Sequence, residues 1–465
     1  MSAALHDLPA TALGALYRHG DLSPVEVTRA VLARIDAWEP HLAATWALDA
    51  EAALAQARAS EGRWRRGRPL GPLDGVPAML KENIATRGLA VPLGSAATVL
   101  APAAEDAPPA ARLREAGAVL LGKTTMPDFG MLSSGLSSFH RLTRNPWNLA
   151  CNPGGSSAGA AAGVAAGYGP LHVGTDIGGS VRLPASWCGV FALKPSLGRI
   201  PIRPAYAGRV AGPMTRTVAD AALLMRELSR PDARDPTSLP VQPIDWDDLD
   251  LDPRGLRLGL QLDAGWGMAL DPAVRAGVEE AARRFEAAGA RVEPVAPFMT
   301  REMADGMDRF WRMRSWLDLS AMPPERQALV LPYIRAWVEP ARAYAAAEVF
   351  HGQAQMAAMR EAAVAATHRF DFVLSPVAPC VAFPAEMASP LDDPQRPFEH
   401  IAWTLPWNMS EQPAASVPAG CSAAGLPIGL QIIGRRHDDL GVLRLSRLWE
   451  RLRDPLPAWP EPPQP

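Results

Sequence analysis

Two glycine-bounded serine clusters hold the residues of this chain best suited to covalent chemistry. They are Asn152-Pro-Gly-Gly-Ser-Ser-Ala-Gly159 and Gly174-Thr-Asp-Ile-Gly-Gly-Ser-Val-Arg182, with an Ala/Gly-rich run between them. Glycine is used where the backbone takes positive φ or approaches another group closely. Ser156, Ser157 and Ser180 are therefore presented by the backbone and not simply buried by packing. A serine hydroxyl becomes a nucleophile only when a nearby base takes its proton. Of 46 basic side chains only Lys81, Lys123 and Lys194 are lysines. An ammonium can give up its proton and a guanidinium cannot, so these three positions are the candidate bases.

Three chemistries compete for the clusters. A phosphate cradle of the Walker type needs Gly-x-x-x-x-Gly-Lys-Ser/Thr, and no lysine lies between 124 and 193. A dinucleotide fingerprint, Gly-x-Gly-x-x-Gly, is also missing from the clusters. A Ser-His-Asp hydrolase is set aside because the clusters are read as lacking the Gly-x-Ser-x-Gly nucleophile elbow. The nine histidines are scattered, with only His140 and His172 near the clusters, although triad partners can meet in space from any sequence distance. The third chemistry is a serine activated by lysine. Ser180 follows Asp176-Ile-Gly-Gly, whose successive N–H groups can point into one concavity and hold the oxygen of a tetrahedral intermediate. A lysine at its ordinary pKa of about 10.4 is no base at neutral pH, so burial must lower it toward about 7–8. Lys81, at the end of an apolar strand, is the best placed.

The elements that must position these groups alternate in type. Ser23, Pro24 and Glu26 form the start of a helix over 24–37, with Val27, Val31, Leu32 and Ile35 as its apolar stripe. A second helix covers 49–66. A short strand over 76–80 delivers Lys81, and helix then strand over 107–122 leads to Lys123. Residues 127–138 read as a loop with Ser133 as polar lining. A strand over 190–194 ends in Lys194, and Thr217 caps a helix to about 229. Strand 256–260, helix 272–288 and strand 290–295 predict a parallel pair with a right-handed crossover. The helical segment 300–368 is rich in Trp and Met and is expected to close over a substrate. Strands over 371–375 and 427–434 and a helix over 439–452 complete the chain. The fold class is α/β, a central mixed, largely parallel sheet flanked by helices on both faces.

At 465 residues the chain is long enough for a large core, and its 48% hydrophobic and 20% charged residues are ordinary for a globular protein. We read one domain over 1–465, made of a helical scaffold (1–70), a core holding the clusters (71–230), a linker (231–255), a second lobe (256–454) and a disordered tail (455–465). The linker is read from seven aspartates and five prolines between 231 and 254. A net charge of −3 gives no basic field for nucleic acid. Cys151, Cys188, Cys380 and Cys421 show no metal or disulfide spacing. Residues 1–16 lack the pattern of a signal peptide, and no stretch reads as a membrane span. The expected location is the cytoplasm.

The serine clusters, with Pro77-Ala-Met-Leu-Lys-Glu-Asn83, resemble the amidase signature family. Arg144-Asn-Pro-Trp-Asn148, Phe191-Ala-Leu-Lys-Pro-Ser-Leu-Gly-Arg199 and Gly212-Pro-Met-Thr-Arg216 are similar too. So are Pro413-Ala-Ala-Ser-Val-Pro-Ala-Gly420 and Gly425-Leu-Pro-Ile-Gly-Leu-Gln431. The resemblance implies the amidase signature fold and a Ser-cis-Ser-Lys triad of Lys81 as base, Ser156 as relay and Ser180 as nucleophile, with a cis Gly155–Ser156 peptide. It further implies oxyanion or substrate contacts from Ile177, Gly178, Gly179, Ser157 and Ser133. Asp176 and Arg182 are expected to pair as loop supports. The implied function is hydrolysis of a carboxylic amide through a serine acyl-enzyme, without metal or cofactor, on a small-molecule substrate. No nucleic-acid or membrane partner is expected, and a homodimer is open. The alternative is the amidase (glutaminase) subunit of a tRNA-dependent amidotransferase. Trp311, Trp316, Trp403 and Trp407 hint at apolar or aromatic acyl groups, with pocket walls expected near 126–134, 300–340 and 375–410.

Overall fold

The computed structural model describes residues 4–463. Eleven strands form one sheet: β1 (Thr45–Trp46), β2 (Pro77–Lys81), β3 (Val119–Thr124), β4 (Leu171–Asp176), β5 (Phe191–Lys194), β6 (Val210–Thr215), β7 (Arg257–Leu260), β8 (Arg291–Pro294), β9 (Phe372–Pro376), β10 (Ala414–Cys421) and β11 (Pro427–Gly434). Their order across the sheet is β1-β3-β2-β4-β6-β5-β10-β11-β9-β7-β8. Parallel pairing occurs in two blocks, β3-β2-β4 and β9-β7-β8. Antiparallel pairs join the blocks through β6, β5, β10 and β11, and another adds β1 at the edge. The sheet is thus mixed, as expected, and it runs without a break from the 71–230 segment into the 256–454 segment. The expected parallel pair β7–β8 is present around the helix Pro272–Ala287.

The helices follow local chemistry. Helix Pro24–Leu42 begins with a full capping box: Val25 N–H donates to Ser23 Oγ at 3.0 Å, and Ser23 N–H to Glu26 Oε2 at 2.8 Å. Such caps contribute about 1 kcal/mol. Val31 and Ile35 on its inner face are fully buried, each stabilising by about 1.5–3 kcal/mol relative to exposure. Asp49 and Thr217 cap the helices Ala50–Arg65 and Val218–Leu228 by accepting from Ala52 and Asp220 N–H. The helix Ala158–Ala166 is buried on every side. Its alanines and glycines leave no bulk to hold it off its neighbours, which is why this stretch can sit inside the sheet-helix layer.

Two terminal and linking segments differ from expectation. Residues 231–255 carry no helix or strand, but they are tied down: Asp235 and Trp246 are buried, and Asp248 and Asp250 pair with Arg444 and Arg451 of the last helix. The proline-rich tail, expected to be disordered, packs as far as it is described. Trp459 lies under the Arg216 guanidinium at 4.3 Å, and Arg34 Nη2 donates to the Pro460 carbonyl at 2.7 Å. Two arginines and a tryptophan outweigh the composition signal. Residues 464 and 465 of that expectation lie outside the described residues. No described helix is long and apolar enough to cross a membrane.

Candidate active site

The parallel strands β2 and β4 end at the same edge of the sheet, with Leu80 opposite Val173. This places Lys81 beside the chain that turns out of β4 at Asp176, the usual location of functional groups in such sheets. Lys81 is fully buried. Its Nζ donates to Ser156 Oγ at 2.7 Å and to Ser157 Oγ at 3.1 Å. Burial pushes the Lys81 amine well below its ordinary pKa. Arg209 nearby adds to this, while Asp176 and Glu82 pull the other way. The Gly155–Ser156 peptide is cis, as the resemblance implies.

Ser180 follows the turn Ile177-Gly178-Gly179. Its carbonyl accepts from Ser157 N–H at 3.0 Å, which ties the second cluster to the first. Gly179 has φ 123°, a conformation that side chains rarely adopt, and a Cβ there would lie 2.5 Å from Thr404 Oγ1. Asp176 anchors the turn. Its carboxylate accepts from Gly179 N–H at 2.8 Å and Val181 N–H at 3.1 Å, and it pairs with Arg182 at 3.0 Å. Although burial opposes ionisation, the Arg182 guanidinium holds the Asp176 carboxyl well below the usual carboxylate range. Arg182 in turn donates to Gln431, Asn408 and the Thr404 carbonyl. Asp176 and Arg182 therefore pair, and their hydrogen bonds extend to β11.

Part of this arrangement faces an inner cavity of about 80 Å³. Ser156, Ser180, Ile177, Gly178 and Ser133 line it, with Phe129, Trp311, Trp337 and Phe398 supplying an aromatic wall. An outer chamber of about 600 Å³ shares the Tyr206, Arg209, Trp311 and Arg314 side of that wall. Among the described residues no histidine lines the inner cavity. His140 bonds Glu82 at 2.6 Å, and His172 bonds the Tyr168 carbonyl. Among the described residues no three His, Cys, Asp or Glu side chains gather to hold a metal ion.

Two expected contacts are placed differently. Ser157 does not line the cavity; it is fully buried behind it, between Lys81 and the Thr175 backbone. A Cβ on Gly174 would lie 2.6 Å from its Oγ, so glycine there permits the approach. Gly179 N–H is already bonded to Asp176, which leaves the N–H groups of Ile177, Gly178 and Ser180 as donors free of partners among the described residues. The spacing Gly155-x-Ser157-x-Gly159 does match a nucleophile elbow, but the burial of Ser157 closes that route. Of the four tryptophans singled out, only Trp311 lines the cavity; Trp407 is in the core. Lysine rarity does not identify the base either. Lys123 and Lys194 are equally buried and both pushed down to about 7 by that burial, but Lys123 donates to Ile84 and Thr86 and Lys194 to Pro195, whereas Lys81 donates to the cavity-lining Ser156. Asn83, Tyr206 and Arg209 are cavity residues that sequence reasoning missed, while Arg314 falls in the expected 300–340 wall segment without having been singled out. Asn83 was within reach of that reasoning, two positions past Lys81 at the strand end.

The Amidase family model matches residues 26–443. The chain is 36% identical to a glutamyl-tRNA(Gln) amidotransferase subunit from Myxococcus xanthus, over 97% of this chain and 98% of that one. It is 35% identical to the corresponding subunit of Chloroflexus aurantiacus, over 97% of each. Among solved structures, a bacterial aryl acylamidase of the amidase signature family superposes with a TM-score of 0.87 at 31% identity, covering 97% of both chains. The peptide amidase of Stenotrophomonas maltophilia superposes with a TM-score of 0.83 at 28% identity, covering 98% of this chain and 99% of that one.

Proposed function

Because this chain belongs to the amidase signature family and is an amide hydrolase acting on carbon–nitrogen bonds, we propose that it works through a Ser180 acyl-enzyme with Ser156 as relay and Lys81 as base. The observation that carries this reading is the 2.7 Å contact between a fully buried Lys81 amine and Ser156 Oγ in the cavity that holds Ser180. Neutral Lys81 takes a proton from Ser156 as Ser156 takes one from Ser180. Ser180 Oγ forms a bond to the amide carbon, and the carbonyl oxygen becomes an oxyanion facing the N–H groups of Ile177, Gly178 and Ser180. The proton returns along the same path to the amine nitrogen, the C–N bond breaks and the amine leaves. Water then attacks the ester with Lys81 again as base, releasing the acid and restoring Ser180.

The aromatic wall of Phe129, Trp311, Trp337 and Phe398 supports an apolar or aromatic acyl group. Incubating the purified enzyme with acyl anilides and aryl amides, quenching, and mapping the acyl group by mass spectrometry tests the reading. An acyl adduct on Ser180 is the expected result; turnover with the adduct on another residue, or turnover unaffected by Ser180→Ala, sinks it.

The amidotransferase relatives favour a second reading: the glutaminase subunit of a tRNA-dependent amidotransferase, where ammonia passes to partner subunits. The expectation of no nucleic-acid partner belongs to the first reading alone. Free glutamine would bring an α-ammonium that needs an anionic partner. Among the described residues the one carboxylate on the inner cavity wall, Asp176, is already engaged by Arg182 and Asn408. Glutaminase activity and co-purification with further subunits would support the second reading; autonomous turnover of aryl amides without either supports the first.

A further inference from the structure

The cavity wall holds two arginines that no carboxylate among the described residues neutralises. Elsewhere the chain pairs its buried guanidiniums with acids: Arg182 with Asp176, Arg199 with Asp439, and Arg312 with Asp308. Arg209 is 6% exposed and, among the described residues, only its Nη1 is bonded, to the Pro204 carbonyl. Arg314, half-buried on the helix Arg301–Ser320, has neither an ion pair nor a hydrogen bond among the described residues. The two guanidiniums lie 5.1 and 5.3 Å from the centroid of the same Tyr206 ring. Both line the inner cavity with Ser156 and Ser180, and both line the outer chamber.

Two like charges held together at a partly desolvated wall are unfavourable unless an anion joins them. The carboxylates nearby do not serve. Asp176 is bound to Arg182 and to two backbone N–H groups. Asp318 lines the outer chamber one helical turn beyond Arg314 and makes no ion pair with it. Guanidinium is the side chain that holds a planar carboxylate by paired N–H bonds.

We propose that the amide substrate carries an anionic group, a carboxylate in its simplest form, which Arg209 and Arg314 hold while Ser180 attacks the amide carbonyl. This rests on the amide-hydrolase reading above and narrows it to monoanionic amides. The carboxylate belongs either to the acyl part or to the leaving amine, and matched substrates separate the two. For the acyl side the pair is 4-carboxybenzamide and 4-methylbenzamide; for the amine side it is N-phenylacetylglycine and N-ethylphenylacetamide.

The expected result is a kcat/KM at least about tenfold higher for the carboxylated member of one pair, which identifies the side. That ratio should fall toward one in Arg314→Gln and in Arg209→Gln. Arg314 is half-buried, so its variant reads the proposal even if Arg209→Gln fails to fold. Binding of the same four compounds to the Ser180→Ala protein by calorimetry gives the answer without turnover. Equal binding and equal turnover within both pairs, or a preference unchanged in Arg314→Gln, overturns the anionic subsite. Carboxylate-selective binding with no turnover of any amide instead fails the amidase reading and leaves the subsite standing.

Discussion

Lys81 Nζ and Ser156 Oγ lie 2.7 Å apart although 75 positions separate them in the chain. The contact exists because β2 and β4 run parallel and Ser157 N–H binds the Ser180 carbonyl, drawing both serine clusters to one strand end. Lys81 sits in a fully closed site with two serine hydroxyls and no carboxylate of the described residues in contact with its amine. Such surroundings favour the neutral amine, the state a base requires.

The first prediction concerns that proton. Since only neutral Lys81 accepts a proton, kcat/KM should rise with pH through the lysine pKa and then level off. Burial places the rising limb well below the ordinary lysine value of about 10.4. Lys81→Arg keeps a cation that cannot deprotonate and should lower kcat by about 10²–10⁴-fold, with Lys81→Met similar. A pH–rate profile of wild type and both variants checks this, and an active Lys81→Arg enzyme would remove lysine as the base.

Ser156 and Ser180 should differ in how they fail. Ser180→Ala removes the bond-forming oxygen, so turnover should drop by at least about 10⁴-fold and no acyl adduct should form. Ser156→Ala leaves the nucleophile but breaks the path to Lys81, and should cost about 10²–10⁴-fold in kcat with KM little changed. Steady-state kinetics with adduct mapping distinguishes the two.

Much of this is legible in the sequence because it is written in local chemistry. Ser23-x-x-Glu26 specifies a helix start wherever it occurs before an apolar stripe, and the helix is there. The two serine clusters and the Lys81 strand end carry their own turn and strand signals. What stays illegible depends on which neighbour a residue meets. Ser157 reads as a substrate contact because nothing in its type shows that it faces Lys81 from behind the cavity. Trp311 and Trp407 are the same residue type on helices, and only packing turns one to the cavity and the other to the core. Tyr206, Arg209 and Arg314 come together from one stretch of chain and a distant helix, without a shared motif. Strand order is equally hidden, since an isolated strand pattern does not state the direction of its partner.

A third prediction addresses the turn that presents Ser180. Asp176 is buried, and its loss leaves Arg182 without a counter-charge. Breaking such a pair typically costs about 3–5 kcal/mol. Asp176→Asn should therefore lower the melting temperature by several degrees and also lower kcat, because asparagine keeps only one of the two oxygens that accept separately from Gly179 and Val181 N–H. Thermal unfolding and kinetics on the same preparation check both effects. An unchanged melting temperature would show that the Asp176–Arg182 pair is dispensable.

The last prediction uses a lysine outside the chemistry. Lys123 is fully buried, donates to Thr86 Oγ1 at 2.7 Å, and is pushed down to about 7 by burial. Unfolded, it titrates near the ordinary value of about 10.4. Between those two pH values the unfolded chain binds more protons than the folded one, so this group makes stability rise with pH. Its contribution to the slope is at most about 1.4 kcal/mol per pH unit, and it fades above the unfolded value. Lys123→Met removes that contribution. The variant's melting temperature should increase less than the wild type's between about pH 7.5 and 9, and parallel curves would mean that Lys123 stays protonated in the folded protein across that range.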